Sequence, residues 1–519
     1  MSPTPMTPLT PTTPMTPVTV VPRQAGQTAS PSDAGADWPT DNKFLTGPFA
    51  PWTEESEGYD LEVNGEIPAD LAGALFRVSS NPRFQPRNTD RYHWWEGDGM
   101  VCGIYLREGR AAYRTRWVET DSMKVEVEAG EAIYSGFVNG GTPGRLPEGA
   151  PPAKNLANIN AGIFDDHLIV YFEGGLPHAL DPETLRTLGT YDFHGGIDVL
   201  CTGHYKTDPD TGDMLFFAAV GATITWYRAD VKTAEIKDSH SFDIGVPVLM
   251  HDFAVSDTYA IFFVTPAQFR LDLVAQSRPG VVWDENSLEH GVQIVLMNRH
   301  THELTWHELG GHWANTHFFN AYEQDGQLII DGHRISRLGT PIDRISTPVG
   351  SHEWFPPAQP YRWRVDLATG RATEEVISGI FGEFPKINDA YTGRPHRYGY
   401  FVTTRGLADD TMSDGLARHD YLLGTTTVVE GPDGLTSPGE PVFVARENAR
   451  SEDGGYLLSL WWNRTTDLSE LLIHDAAELS RTPLARVKLP SRVPFGFHGS
   501  WADHHTLDRA IAAHRDNGR

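Results

Sequence analysis

From about residue 40 onward the chain reads as short strands punctuated by turns, and this rhythm limits its fold more than any other feature. The segments "HLIVYFEGG", "DMLFFAAV", "YAIFFVTP", "QLIIDG", "YRWRVDL", "YGYFVTT" and "YLLSLWWNR" are rich in β-branched and aromatic residues. Gly, Pro, Asp and Asn bound them, as expected of strands. Turns with related chemistry separate several strands: "DPDTGDM", "NRHTHEL" and "DLATGRA" each open on Asp or Asn, and in two of them Gly supplies a positive φ. Their spacing is irregular and gives no strict repeat. Helical periodicity is rare, with "TLDRAIAAHRD" near the C-terminus as one case. Strands without alternating helices predict an all-β barrel, sandwich or propeller. A propeller holds so many strands without leaving edges exposed.

The first 40 residues stand apart. "MSPTPMTPLTPTTPMTPVTVVP" is Pro/Thr-rich, has little to bury, and predicts disorder. It lacks the basic and apolar regions of a signal peptide. The expected organisation is a disordered tail at 1–40, a β-propeller domain at 41–505 and a C-terminal tail at 506–519. The formal net charge of −27 argues against a nucleic-acid partner, because phosphate binding needs clustered cations. Two cysteines, Cys102 and Cys201, exclude a disulfide framework and a thiolate zinc site, and fit a reducing compartment such as the cytoplasm. No apolar run approaches the roughly 18 residues of a transmembrane helix.

The chain has 22 histidines. None forms HExxH, and no CxxC, Walker A, dinucleotide fingerprint or G-x-S-x-G elbow accompanies them. Four sit in unusual contexts: His204 in "CTGHYKTDPDTGDM", His251 in "VLMHDFAVSDTYAIFF", His317 in "THFFNAYEQDGQLIIDGH" and His498 in "VPFGFHGSW". They lie 47, 66 and 181 residues apart, so no single helix can gather them. Inner strands of a propeller, all aimed at one axis, could. Spacing alone does not select these four. Asn320, Tyr322 and Glu323, beside His317, are expected to build the strand and turn around it.

Several motifs in fixed order carry a resemblance: "LFRVSSNPRF…YHWWEGDGMV", "KNLANINAGI", "YFEGGLPHALDPETL", "GHYKTDPDTG", "MHDFAV", "THFFNAYE", "GEFPKIN", "GEPVFVARENARSEDGGYLLSLWWN" and "GFHGSW". Over roughly residues 50–502 the chain resembles a carotenoid cleavage oxygenase. That family includes the retinal-pigment-epithelium isomerase and the lignostilbene dioxygenases. The resemblance implies a seven-bladed β-propeller with a metal on its axis and a cap of loops and short helices over one face. It implies that His204, His251, His317 and His498 ligate Fe(2+). It also implies that Glu173, Glu383 and Glu440 accept hydrogen bonds from His251, His317 and His498, while His204 has no such partner. Four imidazoles alone suit a late first-row metal without naming it. Partner carboxylates orient such ligands and offset the metal's charge. The implied reaction uses O2 and cleaves a conjugated C=C bond to two carbonyl products without an organic cofactor. Where many members have a threonine between two asparagines, this chain has Ile159. Its β-branch also crowds the site but donates no hydrogen bond.

The family divides between polyenes and phenolic alkenes. Phenol cleavers resemble one another in a Tyr and a Lys that hold the substrate hydroxyl. Here those positions are Phe137 and Phe172. A phenol hydroxyl left unpaired beside them costs roughly 1–3 kcal/mol, whereas two aromatic faces suit an apolar polyene. The expected substrate is a carotenoid or apocarotenoid, lined by Phe137, Phe172 and Ile159. The alternatives are a stilbenoid or isoeugenol-type alkene, and a catalytically silent iron- or carotenoid-binding propeller. The segment 262–276, "FFVTPAQFRLDLVAQ", could form an amphipathic lip for peripheral membrane contact; the competing expectation is a covered loop-helix inside the protein.

Overall fold

The computed structural model describes residue 38 and residues 41–344, 356–404 and 413–517. The expected disorder of residues 1–40 lies outside these residues, apart from Trp38, which is half-buried; the described chain continues from residue 41. There Phe44, Leu45 and Phe49 pack into a core cluster with Trp94. All the strand segments named above form strands.

Among the described residues the strands make seven antiparallel sheets of four or more strands, together with one three-stranded sheet. The seven are the blades of a propeller. Blade 1 spans 73–117, blade 2 160–190, blade 3 206–243, blade 4 254–308, blade 5 314–376, blade 6 382–430 and blade 7 435–488. Inner strands touch around the axis between blades 1 and 2, 4 and 5, 5 and 6, and 7 and 1. The ring closes through both ends of the chain. Gly496–Asp503 is the inner strand of blade 1, with Phe76 opposite Ser500. Glu57–Gly58 and Val63–Gly65 form the outer edges of blades 1 and 7. A closed ring leaves only short outer edges to protect.

Blades bury both faces, so their strands read as continuous apolar runs. In Met214–Val220 the pleat divides such a run. Leu215 and Phe217 join Trp226, Phe253 and Phe262 between blades 3 and 4. Met214 and Phe216 join Tyr171 and Phe193 between blades 2 and 3. The turns follow one chemistry. Asp208, Asn298 and Asp366 each accept backbone N–H bonds two and three residues on. Gly212, His302 and Gly370 then adopt positive φ. Asp181, Asp230, Asp420 and Asn463 repeat the pattern.

The cap draws on insertions. Residues 118–159 carry the helix Asp121–Ala129, with Thr120 accepting the Met123 N–H at its start and Gly130 left-handed at its end. Lys154 ties this segment down through Asp98 at 2.8 Å and Glu126 at 2.7 Å. Strands Ala267–Phe269, Val281–Trp283 and Thr340–Pro341 form the extra sheet. Most of the 262–276 segment is therefore covered: Phe262, Phe263 and Val264 are core, and Phe269 meets Phe137 edge-on. Leu271 is its exposed large apolar residue, at 60%. The stretch expected as a C-terminal tail continues as a helix, His504–Asn517, with Leu507 and Ala510 buried and Asp508 paired to Arg107 at 2.6 Å.

Candidate metal centre and substrate cavity

His204 precedes the inner strand of blade 3 and His251 that of blade 4; His317 lies on the inner strand of blade 5 and His498 on that of blade 1. Their ligand atoms all lie within 4.8 Å of one another. The Nε2 atom of His251 is 3.0 Å from that of His204 and 3.1 Å from that of His317. The other nitrogens point outward to carboxylates. His251 Nδ1 lies 3.0 Å from Glu173 of blade 2, His317 Nδ1 2.6 Å from Glu383 of blade 6, and His498 Nδ1 2.8 Å from Glu440 of blade 7. Each blade thus supplies one member of a seven-residue cluster. His204 Nδ1 is 3.9 Å from Asp252, beyond a hydrogen bond, and Lys206 takes that carboxylate at 2.8 Å.

Local irregularity aims these side chains. Strand pairing breaks register between Asn315 and Phe318, where His317 sits, and between Glu383 and Lys386. Pairing of the last strand breaks beside His498. Bulges of this kind re-aim a side chain at the cost of ladder bonds. Phe384, with φ 56°, turns its ring onto His317 at 5.7 Å. Around His317 the neighbouring residues are structural, as expected. Asn320 holds the 391–394 loop through Tyr391 O, Arg394 O and Gly393 N. Glu323 accepts from Ser256 and Thr258, and Tyr322 packs edge-on to His396.

Electrostatics favour neutral imidazoles at two corners. Burial, and then repulsion from the other three rings, holds His204 well below its ordinary value. Burial pulls His498 down to about 3. Burial also opposes charge on His251, but the Glu173 carboxylate outweighs it and raises the value. Glu383 and Glu440 are penalised by burial, yet His317 and the Lys386–His498 pair respectively hold them below the usual carboxylate range. The Nε2 of His498 is buried without a hydrogen-bond partner. A buried lone pair so placed, facing three more imidazoles, suits a divalent first-row cation.

The cluster separates two spaces. On the cap side lies an apolar cavity lined by Trp94, Phe137, Ile159, Phe172, Phe384 and Phe497, reaching His251 and His317. Among the described residues, no Lys, Arg or Tyr lines it. On the other side a polar axial channel reaches His204, His317 and His498, with Tyr205, Lys206 and Lys386 on its walls. Ile159 is buried, donates its backbone N–H to Tyr171 O and accepts from His498 N. Its methyl packs against Gly203, where any Cβ would clash at 2.2 Å. Sequence reading did not assign Trp94, Phe384, Phe495 or Phe497. Trp94 stacks on Phe497 at 4.4 Å and packs against Phe495 at 5.6 Å. Their signal was adjacency: Trp94 lies in "YHWWEGDGMV", Phe384 follows Glu383 in "GEFPKIN", and Phe495 and Phe497 precede His498 in "VPFGFHGSW".

Residues 49–503 match the family described as retinal pigment epithelial membrane protein. The chain belongs to this family, the carotenoid cleavage oxygenases. It is 30% identical to carotenoid 9,10(9',10')-cleavage dioxygenase 1 of Phaseolus vulgaris, over 88% of either chain. It is 29% identical to lignostilbene-alpha,beta-dioxygenase isozyme III of Sphingomonas paucimobilis, over 89% of this chain and 97% of that one. The crystal structure of cobalt-substituted apocarotenoid oxygenase from Synechocystis superposes with a TM-score of 0.78 at 26% identity, covering 87% of this chain and 97% of that one. This carotenoid cleavage oxygenase is thus an oxygenase with a seven-bladed propeller and a four-histidine cluster fit for a metal. Among its described residues, no helix is long and apolar enough to cross a membrane.

Proposed function

We propose that the chain is a non-haem Fe(II) dioxygenase that cleaves a conjugated C=C bond of a carotenoid or apocarotenoid to two carbonyl products. One observation carries the substrate class: an aromatic cavity that, among the described residues, has no amine, guanidinium or phenol group in its lining ends on the histidine cluster. His204, His251, His317 and His498 would hold the iron, and Glu173, Glu383 and Glu440 would fix three of the rings. Bound iron would supply the activation of O2. The chain's own residues do the rest. Trp94, Phe137 and Phe172 give the polyene flat apolar faces and keep water out. The Ile159 side chain presents only carbon to the cavity, so it would limit space near the metal without fixing a polar ligand. The test is to supply iron-loaded protein with an apocarotenoid and O2. Two carbonyl fragments in equal amounts are expected; an intact polyene with a filled metal site would sink the reading in favour of a silent binder.

The carboxylates should act through the rings they orient. Glu383→Gln removes the charge that His317 faces at 2.6 Å. Losing such a partner typically weakens metal affinity about 10–100-fold. Iron released to a chelator should rise by that factor while melting temperature falls only slightly; unchanged release would detach Glu383 from the metal.

We also place the protein in the cytoplasm, with peripheral membrane contact through the cap. Two buried, unpaired cysteines support the compartment. Exposed Leu271, beside the cavity-lining Phe269, supports the contact. Leu271→Asp should reduce co-sedimentation with phosphatidylcholine vesicles severalfold and leave turnover of detergent-dispersed substrate unchanged. Equal sedimentation of both proteins would count against the lip.

A further inference from the structure

The three carboxylates that face the histidine rings do not have equal surroundings. Among the described residues, the ion pairs of Glu173 and Glu383 are with their histidines. Glu440 is different. Its Oε1, which takes the His498 Nδ1 hydrogen at 2.8 Å, also faces the Lys386 ammonium at 3.2 Å. Its Oε2 accepts the Gly499 N–H at 3.0 Å and lies 3.8 Å from the Arg77 guanidinium. Glu440 is only 2% exposed, so water screens this arrangement weakly.

A carboxylate shared with cations draws less on the imidazole N–H, and the ring behind it becomes a poorer electron donor. Lys386 reaches Glu440 because the register break between Glu383 and Lys386 turns the strand there. That one irregularity sets Glu383 against His317 of blade 5 and Lys386 against Glu440 of blade 7. Burial opposes charge on Lys386, but Glu440 and Asp389 outweigh it and hold its ammonium above the ordinary value.

We propose that Lys386 is a positioning residue that tunes the metal centre through Glu440 and His498, making the His498 corner electron-poor relative to His251 and His317. This inference rests on the iron reading above. Lys386 touches the polar channel rather than the apolar cavity, so its effect is separate from substrate fit.

The experiment measures the Fe(III)/Fe(II) midpoint potential of the full chain by spectroelectrochemistry, for the unmodified protein, Lys386→Met and Lys386→Arg. Removing a cation favours the ferric state, so Lys386→Met should shift the potential to more negative values. Lys386→Arg keeps the charge and should restore it. A merely structural lysine would leave the potential in place. Unmoved potential in folded Lys386→Met, or an equal shift in Lys386→Arg, overturns the proposal. Lys386→Gln supplies the comparison if the methionine variant fails to fold. Failure of the unmodified chain to take up iron would instead sink the metal reading, and this inference with it.

Discussion

Alanine in place of His317 is expected to empty the metal site and abolish cleavage. Four-ligand structural zinc sites bind with about 10–16 kcal/mol of apparent free energy. Losing one of four ligands on that scale costs about 3 kcal/mol, or more than a hundredfold in affinity. The loss should be larger at His317, because its partner Glu383 would be left half-buried and charged at the cavity wall. His204→Ala strands no carboxylate, since its Nδ1 makes no hydrogen bond to Asp252. Iron content should therefore fall in both variants, with melting temperature lowered more by His317→Ala. His290→Ala, at an exposed histidine remote from the cluster, serves as the control. Iron by atomic absorption, product aldehydes by chromatography and thermal melting give three independent readings. Iron retained at the unmodified level in His317→Ala, with activity intact, would refute the assignment of the cluster as the metal site.

The strands were legible because propeller blades are buried on both faces. A run such as Leu215–Phe216–Phe217 must be apolar throughout, since successive side chains enter different inter-blade cores. Blade number was not legible. The recurring Asx turn is a repeat in chemistry and not in spacing, because insertions such as 118–159 and 265–292 interrupt it. Its left-handed position is also filled by Leu185, Ala234, His302 and Asp467, which hide the glycine pattern. Ring closure depends on pairings such as Val63 with Val487, which no local pattern reveals.

The histidine cluster was equally beyond local reading. The four rings come from four blades, and only a shared axis brings them together. Once the family resemblance singled them out, the carboxylate partners followed by motif, and the structure places all three within hydrogen-bond reach. The segment 262–276 shows the opposite limit. An apolar run gives the same pattern whether it faces lipid, a cavity or a core. Here Phe262 faces core and Phe269 faces the cavity, leaving Leu271 outside.

Substrate choice should separate this enzyme from phenol-cleaving relatives by a large factor. Phe137 and Phe172 both line the cavity, at positions where the phenol-cleaving members of the family are expected to carry Tyr and Lys. Phe172 is nearly buried, and its ring fills the space where a Cβ on Gly174 would clash at 2.6 Å. Phe137 is braced edge-on by Phe269 at 5.7 Å, and the following Val138 N–H is fixed by Glu96 at 2.6 Å. Neither ring offers a polar atom to a phenol. A hydroxyl stranded there loses about 1–3 kcal/mol. A polyene gains about 25 cal/mol for each Å² of apolar surface it buries. Together these terms put kcat/KM for an apocarotenoid at least about tenfold above that for resveratrol or isoeugenol, since each 1.4 kcal/mol is worth a factor of ten. Phe172→Lys should move the ratio toward the phenols, mainly through KM. The ammonium would also sit in an apolar wall, and a buried charge without a partner is costly. A lower melting temperature should therefore accompany the shift. Phe172→Gln separates the two effects, offering a hydrogen-bonding group without charge. Both substrates are compared at matched concentration in one detergent. Faster cleavage of the phenolic stilbene by the unmodified enzyme would overturn the polyene assignment, while leaving the iron centre and the propeller as they stand.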